Sequence, residues 1–175
     1  DHVAAQARKR GGTLRCYLGI DSGSTTTKLA LVDDDGALVH SFYARNDGKP
    51  LDIARDALLA TRDAFRSRGV ELDVAACGTT GYGELLLHRA LHADCHAVET
   101  VAHARAATRY APDATFVLDI GGQDMKAIWL KDGVITDIVV NEACSSGCGS
   151  FLENLAASLG IPAEGIAEAA FRSRR

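Results

Sequence analysis

The sequence predicts an α/β fold in which one strand–turn–strand unit occurs twice. Short alternating or continuous apolar runs, the mark of strands, are interspersed with longer stretches of helical period. The pattern strand-Asp-x-Gly-turn-strand stands at Ile20-Asp21-Ser22-Gly23 and returns about a hundred residues later at Leu118-Asp119-Ile120-Gly121. The length, 175 residues with 47% hydrophobic and 24% charged, suits one domain with a core, or one lobe and part of another.

Taken in order, residues 1–12 read as a linker, rich in charge and Ala and closed by Gly11-Gly12. From Leu14 a strand alternates through Cys16, Leu18 and Ile20 and ends in the polar turn Asp21-Ser22-Gly23-Ser24-Thr25-Thr26-Thr27-Lys28. A second strand covers Lys28 to Val32, Asp33-Asp34-Asp35-Gly36 turn the chain, and a third strand spans about Ala37 to Arg45. Strand, Gly/Ser/Thr turn and strand form a hairpin, unlike a P-loop, where the glycine loop opens a helix. The hydroxyls and amides of Ser24, Thr25 and Thr26 could wrap a phosphate, with Lys28 adding charge; a plain Ser/Thr-rich turn fits the same residues. A helix is expected over Leu51 to Arg68, with Ile53, Ala57, Leu58, Ala64 and Phe65 on one face and Gly69 as its stop. A short buried strand, Leu72 to Cys77, runs into Gly78-Thr79-Thr80-Gly81-Tyr82-Gly83 and a helix from Glu84 to Leu91. That turn could hold an anion at the helix N-terminus or simply be tight. Asp94 to Val98 reads as a short strand. Glu99 to Tyr110 reads as a helix with Glu99 and His103 one turn apart on one face, a spacing that ordinary local packing explains and a site role would also fit.

The richest stretch is Phe116 to Leu152. Phe116-Val117-Leu118 reads as a buried strand with Asp119 at its end; Gly121-Gly122 permit close backbone approach, and Gln123-Asp124 add polar groups. A carboxylate on a strand end beside such a turn suits a magnesium–phosphate ligand. Lys131-Asp132-Gly133 join two alternating runs as a hairpin. The loop Asn141 to Gly149, holding Cys144 and Cys148, opens into a helix with Phe151, Leu152, Leu155, Ala156 and Leu159 in register, and a last helix is expected over Ala163 to Phe171.

Bulk properties exclude some classes. A net charge of -4 gives no footprint for nucleic acid, and no apolar run reaches the length of a membrane span. Five cysteines without a regular framework point to a reduced, cytoplasmic chain. Asp1 to Arg10 lacks the apolar core of a signal peptide, and the absence of an initiator Met suggests a piece of a longer polypeptide.

Gly19-Ile-Asp-Ser-Gly-Ser-Thr-Thr-Thr-Lys28 resembles the first phosphate motif of the actin/Hsp70/sugar-kinase superfamily, and Leu118-Asp-Ile-Gly-Gly-Gln-Asp-Met-Lys126 resembles the second. With Asn141-Glu-Ala-Cys144 and Gly147-x-Gly149-x-Phe151-Leu152, the chain is similar to the BadF/BadG/BcrA/BcrD group over about Arg15 to Ile161, within it to activators of 2-hydroxyacyl-CoA dehydratases. The resemblance implies an actin-like ATPase (ribonuclease H-like) fold: a first lobe over 13–112 and the start of a second over 113–175, truncated at its end. It implies that Asp21 and Asp119 face each other across a nucleotide cleft, hold Mg2+ directly or through water, and orient the attacking water. Gly23, Ser24, Thr25, Thr26, Lys28, Gly121 and Gly122 would bind the phosphates of ATP, with Gln123 near the γ-phosphate. Cys144 matches the first of two cysteines by which each activator subunit holds a [4Fe-4S] cluster shared across a homodimer, or across an intramolecular pseudo-dimer. The implied activity is ATP hydrolysis driving one-electron transfer, from reduced ferredoxin or flavodoxin, to a dehydratase or reductase partner.

Departures from the family pattern shape further expectations. The second cluster cysteine and the later adenosine motif lie past the last residue, so the isolated chain is expected to bind neither ATP tightly nor a cluster. Ala-Cys-Ser-Ser-Gly-Cys-Gly is similar to large fused activator-like proteins; Cys148 is then an extra cluster ligand or a small residue at a helix start. Cys16 and Cys77 fit the core. A zinc site at Cys144-x3-Cys148 lacks a nearby second pair of ligands. The alternatives are an amino-sugar or other small-molecule kinase of the same superfamily, and a non-catalytic docking lobe.

Overall fold

The computed structural model describes residues 7, 11–141 and 148–173. Contacts divide the chain into two compact units, 1–99 and 100–175. The first holds a five-stranded sheet, β1 (Thr13–Ser22), β2 (Thr26–Asp33), β3 (Leu38–Arg45), β4 (Glu71–Thr80) and β5 (Cys95–His96), in the order β3-β2-β1-β4-β5. Strands β1 to β3 form an antiparallel meander, and β4 and β5 add in parallel. Helix α1 (Pro50–Arg66) precedes β4 and α2 (Glu84–Leu91) follows it. The parallel register pairs Asp21 with Thr80. The carboxyl ends of β1 and β4 therefore lie side by side, where α/β sheets place their ligands.

The core of this unit follows the strand alternation: Leu14, Cys16 and Ile20 of β1 and Leu29 and Leu31 of β2 pack with Ala54, Ala57 and Phe65 of α1 and Leu87 of α2. Helix α1 starts at Pro50, which has no amide hydrogen to lose, and stops before Gly69 in the left-handed conformation (φ 71). Its buried stripe is Ala54, Ala57, Thr61 and Phe65, not the face through Ala64 that the sequence suggests. Thr61 is accommodated because its hydroxyl meets His40 Nε2 at 3.1 Å. Strand β4 extends to Thr80, three residues past Cys77, because the parallel ladder with β1 continues to Asp21. Of the expected linker, Ala7 is helical, 2% exposed and packed with Leu14 and Phe65, so that residue belongs to the core.

The second unit holds an antiparallel sheet of β6 (Phe116–Ile120), β7 (Met125–Lys131) and β8 (Val134–Asn141). The β7–β8 turn carries Asp132 and Gly133 at φ 52 and 74, the left-handed pair a two-residue hairpin requires. Helix α3 (Glu99–Tyr110) brings Ala104 into a cluster with Ile128 and Leu130. For that reason it counts with this sheet, although the sequence places it before the expected boundary at 112/113. Strand β6 corrects a second expectation: Phe116 and Leu118 are 46% and 52% exposed, and the alternate residues Val117 and Asp119 are the more covered. Helix α4 (Gly149–Ser158), a 3-10 turn (Ala163–Gly165) and α5 (Ile166–Arg172) complete the described chain. No helix among the described residues is long and apolar enough to cross a membrane.

Candidate functional site: two Asp–Lys hairpins

The first hairpin is closed by Gly23 N–H donating to Thr26 C=O at 2.9 Å. Asn46, 2% exposed, braces it: its amide side chain donates to Gly23 C=O at 2.9 Å and its backbone N–H to Thr25 C=O at 3.0 Å. Directly across the ladder from Asp21 stands Lys28, whose Nζ lies 2.8 Å from Asp21 Oδ2. Asp21 Oδ1 and Ser22 Oγ are buried and make no hydrogen bond among the described residues. An unmet carboxylate oxygen is costly to bury. It suits a cation, or the water of one, so these residues fit a magnesium–phosphate group.

The turn after β4 supports this hairpin from the side. Gly83 N–H donates to Ser22 C=O at 2.8 Å. Gly81 sits at φ 86, and a Cβ there would stand 2.5 Å from Asp21 Oδ1 and 2.6 Å from the Ser22 carbonyl oxygen. Of the two readings of Gly78–Gly83, tight packing against Asp21-Ser22 is thus the one this geometry supports. Gly81→Ala is expected to destabilise the chain by about 1–3 kcal/mol, from the left-handed φ and the clash together, measurable as a lower midpoint in urea.

The second hairpin repeats the first. Gly121 N–H donates to Asp124 C=O at 3.0 Å, and Asp119 pairs across the ladder with Lys126. Lys126, 7% exposed, lies 3.8 Å from Asp119 Oδ2 and 2.7 Å from Asp124 Oδ2. A Cβ on Gly121 would stand 2.6 Å from Asp124 Oδ1, so that carboxylate would have to turn aside to admit a side chain there. Gln123 is exposed at the tip. His103 of α3 reaches the same carboxylate, with Nδ1 2.7 Å from Asp119 Oδ2. Glu99, His103 and Asp119 bring donor atoms within 4.8 Å of one another.

Lys126 is a site residue that sequence reasoning missed, and His103 is one it singled out with Glu99 but read first as local packing. The signal for Lys126 was present: Asp21/Lys28 and Asp119/Lys126 share one seven-residue spacing. For His103 the signal was its one-turn spacing from Glu99, which did not name Asp119 as its partner; the fold alone brings it to that carboxylate, 16 residues away.

Cys144 lies outside the described residues. Cys148 occupies the N-cap of α4, 2% exposed, with Sγ 3.1 Å from Ser150 Oγ. The Ser150 hydroxyl, followed by the amides of the first helical turn, holds this thiol below the usual range. Helix α4 starts on the second phosphate turn: Gly149 N–H donates to Gly121 C=O at 2.9 Å and Ser150 N–H to Gly122 C=O at 3.0 Å. Burial pushes the Cys16 thiol up to about 11, with Asp73 and Asp34 adding to it, and also raises Cys77; both suit the packed interior.

The structure thus gathers Asp21, Lys28, Gly23 and the Ser/Thr turn in one unit, and Asp119, Lys126, His103 and Gly121-Gly122 in the other. Two hairpins of this kind, the first on a β3-β2-β1-β4-β5 sheet, define an actin-like ATPase fold. The crystal structure of component A of (R)-2-hydroxyglutaryl-CoA dehydratase from Acidaminococcus fermentans superposes with a TM-score of 0.74 at 29% identity, over 91% of this chain and 60% of that one. The activator of 2-hydroxyisocaproyl-CoA dehydratase from Clostridium difficile shares the fold, with a TM-score of 0.75 at 24% identity over 91% and 58% of the two chains. Within that class the chain belongs to the BadF/BadG/BcrA/BcrD ATPase family, whose sequence pattern matches residues 18–174. It is 35% identical over 159 residues to an uncharacterised protein of Methanocaldococcus jannaschii, covering 87% of this chain and 37% of that protein. It is 31% identical over 158 residues to the (R)-2-hydroxyglutaryl-CoA dehydratase activating ATPase of Acidaminococcus fermentans, covering 90% and 59%. The chain therefore spans well under two thirds of these relatives.

Proposed function

We propose that the protein carrying this chain is an ATP-hydrolysing activator that drives low-potential electron transfer to a 2-hydroxyacyl-CoA dehydratase-like or reductase partner. The observation that carries this reading is the bonding of α4 to Gly121-Gly122, which ties the helix following the cysteine loop to the second phosphate turn. On this reading Asp21 and Asp119, one in each hairpin, are the carboxylates that serve the cation of the nucleotide. The hydroxyls and amides of Ser24 to Thr26 and the amide of Gly122 bind the β- and γ-phosphates, with Gln123 at the γ-phosphate end; the amides of Gly23 and Gly121, expected to join them, instead close their hairpins on Thr26 and Asp124. Lys28 and Lys126, each opposite an Asp, balance those carboxylates before a cation arrives. Mg2+, when bound, supplies charge neutralisation to the phosphates. Cys144 contributes a thiolate to a [4Fe-4S] cluster, which supplies the electron; a cluster needs four thiolates, so a second subunit or a second such domain completes it. Reduced ferredoxin or flavodoxin is the matching donor. Cys148, buried and bonded to Ser150, acts as a helix start in this reading.

The direct test is iron and sulfide analysis of the anaerobic full-length protein, with visible spectra before and after Mg-ATP. Iron with an ATP-dependent spectral change is expected; iron-free protein that still binds ATP would sink the electron-transfer reading. Cys144→Ala is expected to remove the cluster absorbance while ATP binding persists, whereas Cys148→Ser is expected to keep the iron.

A further inference from the structure

We propose that His103 is a positioning residue for Asp119, holding the carboxylate so that its second oxygen points in a fixed direction toward the magnesium ion or its water. The inference rests on the site reading above. An ionised carboxylate only accepts hydrogen bonds, so at 2.7 Å the imidazole Nδ1 is the donor and Oδ2 the acceptor. Lys126 Nζ approaches that same oxygen, at 3.8 Å. An aspartate turns readily about its last side-chain bond, because that torsion has broad wells. A donor fixed elsewhere in the fold removes this freedom. His103 is so fixed: Ala104, the next residue of α3, packs on Ile128 and Leu130, and Asp119 is on the better-covered alternation of β6. The imidazole is therefore anchored to the same sheet that carries the carboxylate.

Direct metal ligation by Glu99, His103 and Asp119 is the competing arrangement. Two ligands at adjacent positions of an octahedral ion, each about 2.1 Å from it, stand about 3 Å apart. The 2.7 Å contact is shorter than that and matches a charge-assisted hydrogen bond. The ammonium of Lys126 beside Asp119 Oδ2 also opposes a further cation on that oxygen.

Asparagine tests the donor role, because its amide N–H reaches roughly where Nδ1 does and can donate to Asp119. Direct ligation is tested separately in the wild type: only an imidazole bound to Mn2+ gives a ligand-strength nitrogen coupling in the spin-echo spectrum, and finding that coupling would overturn the proposal. In the full-length protein, His103→Leu is expected to weaken Mn2+ binding to the protein–ATP complex, read by electron paramagnetic resonance, and to lower kcat, each by about 10–100-fold. Affinity for metal-free ATP is expected to stay near wild type, while binding of the metal–ATP complex weakens in step with the metal. His103→Asn is expected to restore both Mn2+ affinity and kcat. A folded His103→Asn as impaired as His103→Leu, or a His103→Leu with wild-type Mn2+ affinity, would overturn the proposal. If Asp119→Asn retains full Mn2+ affinity and turnover, the underlying site reading fails instead, and the positioning role with it.

Discussion

Asp119→Asn in the full-length protein is expected to lower ATP turnover by at least about a hundredfold while leaving the fold intact. Asparagine keeps the size of the side chain, and its carbonyl still accepts the Nδ1–H of His103. Lys126 keeps Asp124 at 2.7 Å, so no buried ammonium loses all its partners. What disappears is one negative charge at the end of β6, where a cation and the attacking water would be oriented. The loss should therefore fall on kcat and on the Mg2+ dependence, with the thermal midpoint nearly unmoved. Turnover at the wild-type rate would contradict the role given to Asp119, and a collapsed midpoint would make the residue structural instead.

Much of this arrangement was legible in the chain because hairpins announce themselves twice, by alternation and by turn chemistry. Asp132-Gly133 is such a case, and so is the repeated Asp-x-Gly. The boundaries of α2 and α3, Glu84 to Leu91 and Glu99 to Tyr110, follow from helical period alone. Burial was less legible. An apolar run does not say which of its faces is covered, so Phe116 and Leu118 read as interior although about half their surface is exposed. On α1, a threonine counted as polar is buried because His40, on β3, meets its hydroxyl. The site residues divide in the same way. Those within the turns could be read from local composition, and Lys126 from the repeat. His103 could be read only against Glu99, one turn away in the sequence; its bond to Asp119 is tertiary and has no sequence period.

Gly149→Val is expected to leave ATP hydrolysis largely intact and to abolish the ATP-dependent change at the cluster. The backbone of Gly149 is not in the left-handed region, so a side chain there meets no torsional penalty. It meets a neighbour: a Cβ would stand 3.2 Å from Gly121 O and 3.4 Å from Gly122 Cα, and the branched methyls of valine need more room still. Helix α4 must then move off the turn, lengthening the bonds from Gly149 to Gly121 and from Ser150 to Gly122, each worth about 1 kcal/mol net. The peptide joining Gly121 to Gly122 is rigid and planar, so its carbonyl, which accepts from Gly149, and its amide, proposed to meet phosphate, turn together. On the proposed reading, a γ-phosphate that rotated the amide would pull on α4 through the carbonyl. Widening the contact cuts that linkage while leaving Asp21, Asp119 and the first turn in place. The check is hydrolysis rate and nucleotide-dependent cluster spectrum measured on one preparation. Loss of both together would place Gly149 in the hydrolytic site, and retention of both would show that the α4–turn contact carries no signal.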